Sequence, residues 1–589
     1  MTPGTKRAVL VFNTLLVLVL VTGALWVSWT PTGMSALKSA PPILITAGNA
    51  TRGMETEHPM KVEPEPMPPS FCPRKPEMRA GWSVENLPPL DQPQNPTWTR
   101  VADITSHVHS YFTVVNLRPS YRVCDQLELR IQARNGRAED KSYGGDYFRA
   151  KVFTKSAQFN AGSSTDGEVI DHGNGTYSAF FTLKWAGTVS VTVTLIHSSE
   201  AVSSIRRFRD AVPARYVYRG NFVSPDGSRR EETFCNLVLP NQEKAVCNLT
   251  DSRSGSPWFC QRPSSPALSC ADWRQSRCDT GAAYRTEIPT MPPIEKLTII
   301  PKHHISGDVQ LVQVEDIDVP QEPDQLSETK KAMLPPCTIR SYTDAALEAG
   351  YYLNDLWNNP RCTINRLSLS ETKACLAGKT LHFLGDSTIR QLFEYYLAKL
   401  SPTMQKTSNE PEPVWHVGPT RARDAQFNTS MVFRFHGFPI GRNAWATVKD
   451  IHYIANELDD IVADNRTVVV ISVWAHFTQQ PRWFYENRVR AITSAIDRLL
   501  ERSPSTFVIV KSANTREHVD VNQLIYHSDW LGRDLDQILR QHTLRKANVA
   551  FIDAWDMSSA QLIPDNVHPG GSHVKNLSDQ LLTLICKSQ

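Results

Sequence analysis

Two short stretches hold residue types that together perform acyl chemistry. Gly385-Asp386-Ser387 ends the apolar run Thr380-Leu381-His382-Phe383-Leu384, and Thr388-Ile389-Arg390-Gln391 follows at once. Much later comes Asp565-Asn566-Val567-His568-Pro569. A free serine hydroxyl is a poor nucleophile and needs an adjacent base. His568 offers the imidazole. Asp565, three residues before it, can reach that ring across a turn, hold its tautomer and stabilise the imidazolium. Gly385 permits a tight strand-to-helix turn. Ser387 then stands beside a helix N-terminus, where its own N–H can face an oxyanion. Ser387, Asp565 and His568 are therefore the candidate catalytic residues. Each motif also has a plainer reading. Asp386 or Ser387 could cap the helix, and Asp565 with His568 could form a surface turn. Their order within one region favours the catalytic reading.

The elements that must position them follow from periodicity. From residue 335 onward, strand candidates at 380–384, 431–435, 467–474, 506–511 and 549–552 alternate with helix candidates at 388–400, 483–500, 519–540 and 574–586. That alternation predicts an α/β domain over 335–589 with a parallel sheet covered on both faces. Sites in such sheets form at the carboxyl ends of the strands. Residues 97–300 read differently. Leu127, Leu129 and Ile131 alternate with Glu128 and Arg130, and Val189, Val191 and Val193 with Ser190 and Thr192. Period-two alternation between turn signals predicts an Ig-like β-sandwich, here with a cysteine-rich extension. Residues 301–334 read as a linker, so the expected fold class is multidomain.

Ahead of these, 8–28 is apolar and uncharged, follows Lys6 and Arg7, and is long enough to span a bilayer. It reads as a signal-anchor helix behind a cytosolic tail (1–7), with a Pro-rich stem (29–96). The expectation is a single-pass type II membrane protein of the Golgi or ER with a lumenal catalytic domain. The competing reading is a cleaved signal peptide and a secreted form. Sequons at Asn49, Asn174, Asn248, Asn428, Asn465 and Asn576 agree with this route. So do the 11 cysteines, all beyond residue 71. Cys124, Cys235, Cys247, Cys260, Cys270, Cys278, Cys337, Cys362 and Cys375 are disulfide candidates, and the odd total leaves at least one thiol over. No double Cys-x-x-Cys arrangement is present, so no metal site is expected. Lys plus Arg is 63 against 60 Asp plus Glu, with no basic run. Nucleic acid is therefore not an expected partner.

On Leu384-Gly385-Asp386-Ser387-Thr388-Ile389-Arg390-Gln391 and Asp565-Asn566-Val567-His568-Pro569, the C-terminal region resembles the PC-esterase family, a branch of the SGNH (GDSL-like) superfamily. Trp357-Asn358-Asn359-Pro360-Arg361-Cys362 fits that family's entry segment. With its anchor, stem and β region, the chain resembles the neurexophilin and PC-esterase domain (NXPE) family, the β region being neurexophilin-like. The resemblance implies Ser387 as nucleophile, His568 as base and Asp565 as its orienter. It also implies acyl transfer to or from glycans of glycoproteins or glycolipids. The superfamily's Gly-x-Asn-Asp block, which supplies an oxyanion-hole Asn, is missing here. The comparable strand runs into Trp474-Ala475-His476-Phe477. The N–H groups of Ser387 and Gly437, together with Arg390 and His476, are the oxyanion candidates, and the plainer reading of His476 is a packed strand-end histidine. The expected activity is serine-dependent O-acetylation of glycans, sialic acid among them by analogy. No bound cofactor is expected, and acetyl-CoA is the candidate donor although no Gly-rich phosphate loop is present. The alternatives are a glycan esterase and a non-catalytic ligand whose β region meets a cell-surface receptor.

Overall fold

The computed structural model describes Cys72 and residues 98–155, 162–211, 215–239, 245–279, 291–315, 334–339, 350–407, 417–440, 445–544 and 546–586. The expected tail and anchor, the stem apart from Cys72, and Asn49 lie outside the described residues. Chain contacts group residues 66–589 into one compact unit.

The β region forms a 12-stranded sheet. Its alternation works as the residue types dictate. Leu127, Leu129 and Ile131 are wholly buried along Gln126–Gln132, and Val189, Val191, Val193 and Leu195 along Gly187–His197. The strand Gly162–Asp171 pairs with Tyr147–Lys155 through 162–167 and with Thr176–Thr182 through 168–171. One strand thus serves both halves, and the sheet curls around a single core. At the changeover, a Cβ on Gly167 would meet the Phe181 ring at 2.4 Å. Residues read as linker also join this sheet. Leu311–Glu315 pairs with Gly187–His197, and from the region read as the C-terminal domain Tyr351–Leu353 meets Gly162–Asp171.

A six-stranded sheet follows, stapled by Cys235–Cys260 and Cys247–Cys270, with Ala446–Thr447 as one edge. The remaining disulfides are Cys72–Cys124, Cys337–Cys362 and Cys375–Cys586. Five bridges fit an oxidising compartment, so the protein is secretory or extracellular. Cys278, expected to pair, is the buried free thiol.

The third sheet runs in the order Met404–Lys406, Thr420–Asp424, Thr429–Phe435, Thr380–Gly385, Thr467–Ser472, Phe507–Lys511, Val549–Ile552. The first two strands pair antiparallel, and the other five are mutually parallel. Successive side chains point to opposite faces. Leu381, Phe383, Val468 and Val470 pack with Phe393, Leu577 and Leu581 on one side. Leu384, Val469 and Ile471 pack with Val489, Ile492 and Leu535 on the other.

The expected fold class therefore requires correction. Among the described residues no helix is long and apolar enough to cross a membrane. The β region is a curled 12-stranded sheet that recruits later strands, rather than an Ig-like sandwich. The C-terminal sheet is mixed rather than parallel throughout. The two regions share one compact unit instead of standing apart.

Candidate active site

The Thr380–Gly385 strand is central in its sheet, and Gly385 ends it at φ +154, where a Cβ would lie 1.8 Å from the Ser472 carbonyl oxygen. Only glycine fits there. The next residue, Asp386, is wholly buried and caps the helix Ser387–Lys399. Its Oδ1 accepts from Thr388 N–H (2.9 Å) and Thr388 Oγ1 (2.7 Å). Its Oδ2 accepts from the N–H groups of Trp474 (3.1 Å) and Ala475 (2.9 Å). One carboxylate therefore fastens the helix N-terminus to the end of the neighbouring strand. Sequence reasoning weighed the cap and missed the second clamp.

Ser387 is half-buried at the first position of this helix. Its Oγ lies 2.7 Å from His568 Nε2, a hydrogen-bond distance for a nucleophile and its base. His568 sits on an exposed loop held by several side chains. Glu517 Oε2 accepts Val567 N–H (2.6 Å), Asn566 Oδ1 accepts His568 N–H (2.8 Å), and Gln391 Nε2 donates to Pro569 O (2.8 Å). Packing of the ring lowers the His568 pKa from its ordinary value. Arg390 and Arg516 add to that effect, and Asp386 and Glu517 oppose it.

Asp565 does not take the expected place. Its carboxylate meets Lys302 Nζ (2.6 Å), Arg149 (3.0 Å) and Thr515 Oγ1 (2.8 Å), and no contact with His568 forms. Burial would raise its pKa, but the charges of Arg149 and Lys302 outweigh burial and hold it well below the usual carboxylate range. The same two cations hold Asp529, at 2.9 Å from Arg149 and 2.7 Å from Lys302. Arg149 of the β region and Lys302 of the stretch read as linker thus grip the loop that carries His568. The role of imidazole orienter is corrected accordingly. A cavity of about 370 Å³ lies against this cluster, lined in part by Lys151, Asp166 and His304.

The parallel register sets Gly385 level with Phe435 and Ser472. Gly437 and His476 therefore leave flanking strand ends on either side of Ser387. Gly437 has φ +83, and a Cβ there would meet the Tyr453 ring at 2.6 Å. Burial keeps the His476 pKa below its ordinary value, and a neutral imidazole is still an N–H donor. Arg390, on the first turn of the helix, has Nε 3.3 Å from Glu394 Oε1. The N–H groups of Trp474 and Ala475 are already spent on Asp386. Arg516, buried on the loop after Phe507–Lys511, was missed from sequence.

Among the sequons, Asn174, Asn248, Asn428 and Asn465 are exposed. Asn576 is buried, accepting from Trp357 N–H and donating to Asp355 O and Ser572 O. It is removed from the glycosylation candidates.

Two family models match this chain. The model described as NXPE family member 4-like, C-terminal domain, matches residues 357–586, and the neurexophilin model matches residues 90–273. Among solved structures, invasin, a bacterial integrin-binding protein, is 12% identical over 56% of this chain and 59% of its own. Its TM-score of 0.12 carries no argument about fold. A neurexophilin match followed in the same chain by an NXPE C-terminal match, the second spanning both Ser387 and His568, places this protein in the neurexophilin and PC-esterase domain (NXPE) family.

Proposed function

We propose that this protein is a serine-dependent acyltransferase that O-acetylates glycans, sialic acid among them, with acetyl-CoA as donor. The observation that carries the reading is the 2.7 Å contact between Ser387 Oγ and His568 Nε2 at the carboxyl end of the central strand. Ser387 Oγ attacks the thioester carbonyl while His568 takes its proton. The oxyanion that forms faces the N–H of Ser387, with Gly437 and His476 flanking it. Collapse expels the thiol, which receives the proton from His568, and leaves an acetyl-serine. A sugar hydroxyl then attacks, gives its proton to His568, and the ester leaves as Ser387 regains a proton. Water in place of the sugar gives hydrolysis, so an esterase is the second reading. The position of Asp565 favours attention to it. Without a carboxylate on the imidazole, the base is weaker, and deacylation by whichever acceptor is better held decides the outcome.

The test compares wild type with Ser387→Ala, incubated with acetyl-CoA and sialylated or neutral glycans and read by mass spectrometry. A parallel 4-nitrophenyl acetate assay reports hydrolysis. Acetylated glycan that disappears in Ser387→Ala supports the transferase. Hydrolysis alone supports the esterase. Silence of both proteins in both assays refutes catalysis and leaves the β region as a receptor-binding module.

A further inference from the structure

Arg516 is 7% exposed. Its backbone is fully engaged, the N–H donating to Asp529 Oδ1 and the carbonyl accepting from Lys302 Nζ, both at 2.9 Å. Its guanidinium is not. Among the described residues no acceptor lies within hydrogen-bond or ion-pair reach of it, and Nε is buried without a partner. Among the described residues, the buried Arg209, Arg540 and Arg488 have an acceptor, and Arg215, whose three guanidinium nitrogens are also buried without a partner, instead stacks on an aromatic ring. Arg209 meets Asp534 at 2.7 Å, and Arg540 meets Asp536 at 2.6 Å. Arg488 donates to two carbonyls and keeps one nitrogen unpartnered, and Arg215 lies 4.5 Å over the Phe208 ring. A buried cation is costly unless an anion or hydrogen-bond acceptors compensate it.

Its place in the fold says where the compensating group would sit. The loop 512–518 leaves the carboxyl end of Phe507–Lys511, on the same edge of the sheet as Ser387. Thr515 and Glu517, on either side of Arg516, hold Asp565 and Val567 in the turn that carries His568. Those two contacts put the backbone of Arg516 in the same cluster of strand-end loops as His568. Guanidinium is planar, permanently charged and matched to two oxygens of one anion.

We propose that Arg516 forms an anion subsite beside Ser387 and His568, taking either the carboxylate of an acidic-sugar acceptor or a phosphate of the acyl donor. This rests on the acyl-transfer reading for its purpose, but binding can be measured without turnover. The full chain carrying Ser387→Ala is titrated by calorimetry with N-acetylneuraminic acid, its methyl ester and coenzyme A. Binding of the acid about tenfold tighter than the ester, with the difference lost on adding Arg516→Gln, supports the carboxylate source. Coenzyme A binding that weakens about tenfold with Arg516→Gln, with acid and ester alike, supports the phosphate source. Arg516→Lys keeps the charge without the fork and retains part of either preference. It also serves if the glutamine variant melts early. Affinities unchanged by both substitutions overturn the proposal, whether or not the wild type turns over. A wild type silent in both the transfer and the hydrolysis assay, with the preference intact in Ser387→Ala, overturns the acyl-transfer reading instead.

Discussion

Replacing Asp565 by asparagine separates the two roles that its position allows. Its carboxylate lies 2.6 Å from Lys302 Nζ and 3.0 Å from Arg149, and Asp529 shares both cations. Side-chain exposures are 0% for Asp529, 12% for Arg149, 16% for Lys302 and 19% for Asp565, so water screens the cluster little. Asparagine keeps the shape and removes one of two negative charges facing two positive ones. Breaking a buried pair by removing one partner costs roughly 3–5 kcal/mol. The partial exposure of Asp565 places the expected loss at the lower end, about 3 kcal/mol. In a unit this large each kcal/mol shifts the melting temperature by about 2 °C, giving a fall of about 6 °C. Turnover should drop about tenfold as the His568 loop loosens. Adding Lys302→Met restores charge balance around the Arg149–Asp529 pair, and the double variant should recover about 2 kcal/mol relative to additivity. Thermal melts and 4-nitrophenyl acetate hydrolysis read both effects. Loss of an orienting carboxylate would instead cost about 10⁴-fold in turnover. A loss of that size, with melting unchanged and the double variant additive, would refute the structural role assigned to Asp565.

Further outcomes follow from the same geometry. His568 must be neutral to act as base, and its pKa lies below the ordinary 6.5. Activity should therefore rise with pH along an acid limb centred below 6.5 and stay flat through neutrality, read by the pH dependence of kcat/KM. Asp386→Ala removes the acceptor of the helix cap and of the Trp474 and Ala475 N–H groups, so it should cost more than the ~1 kcal/mol of a lost cap alone and displace Ser387. Thermal melting and acylation rate check this together. His197 and His573 are buried, with pKa values pushed down to about 3. Unfolded, each takes a proton near 6.5, so the stability tied to their neutral state is intact above 6.5 and is lost as pH falls toward 3. Urea midpoints measured across that range should decline, and less so in His573→Gln. Asn576 should carry no glycan, whereas Asn174, Asn248, Asn428 and Asn465 are open to modification, as glycopeptide mass spectrometry would show.

What was legible in the sequence was local. Ser387 could be found because a buried strand, a glycine turn and a helix start are all written within about a dozen residues, and the structure sets His568 against it. The alternation in Gln126–Gln132 and Gly187–His197 likewise fixes which face is buried without reference to any partner. Pairing between distant segments is not written that way. Nothing near Gly162–Asp171 announces that it changes partners midway, or that Leu311–Glu315 will add to the same sheet. Cys278 shows the limit in small compass. An odd count predicts a thiol left over, but register chooses which. Cys235 faces Cys260 directly across adjacent strands, whereas Tyr218 lies between Cys235 and Cys278. Two strand spacings of about 4.8 Å exceed the reach of a disulfide.

Asp565 fails for the same reason, and the failure is instructive about the site. A spacing of Asp-x-x-His states that a carboxylate can reach an imidazole; it does not state what else competes for that carboxylate. Here the competitors are cations 416 and 263 residues earlier in the chain. Two full positive charges at hydrogen-bond distance outcompete a neutral ring at the exposed rim, because they add direct Coulomb attraction to the hydrogen bonds the carboxylate accepts. Arg516 is the converse case. Asn514-Thr515-Arg516-Glu517-His518 has no periodicity, and its one available signal was position, directly after a strand read at 506–511. In a sheet whose sites gather at carboxyl ends, a loop in that position holding a charged side chain warrants the same scrutiny as the motif that carries the nucleophile.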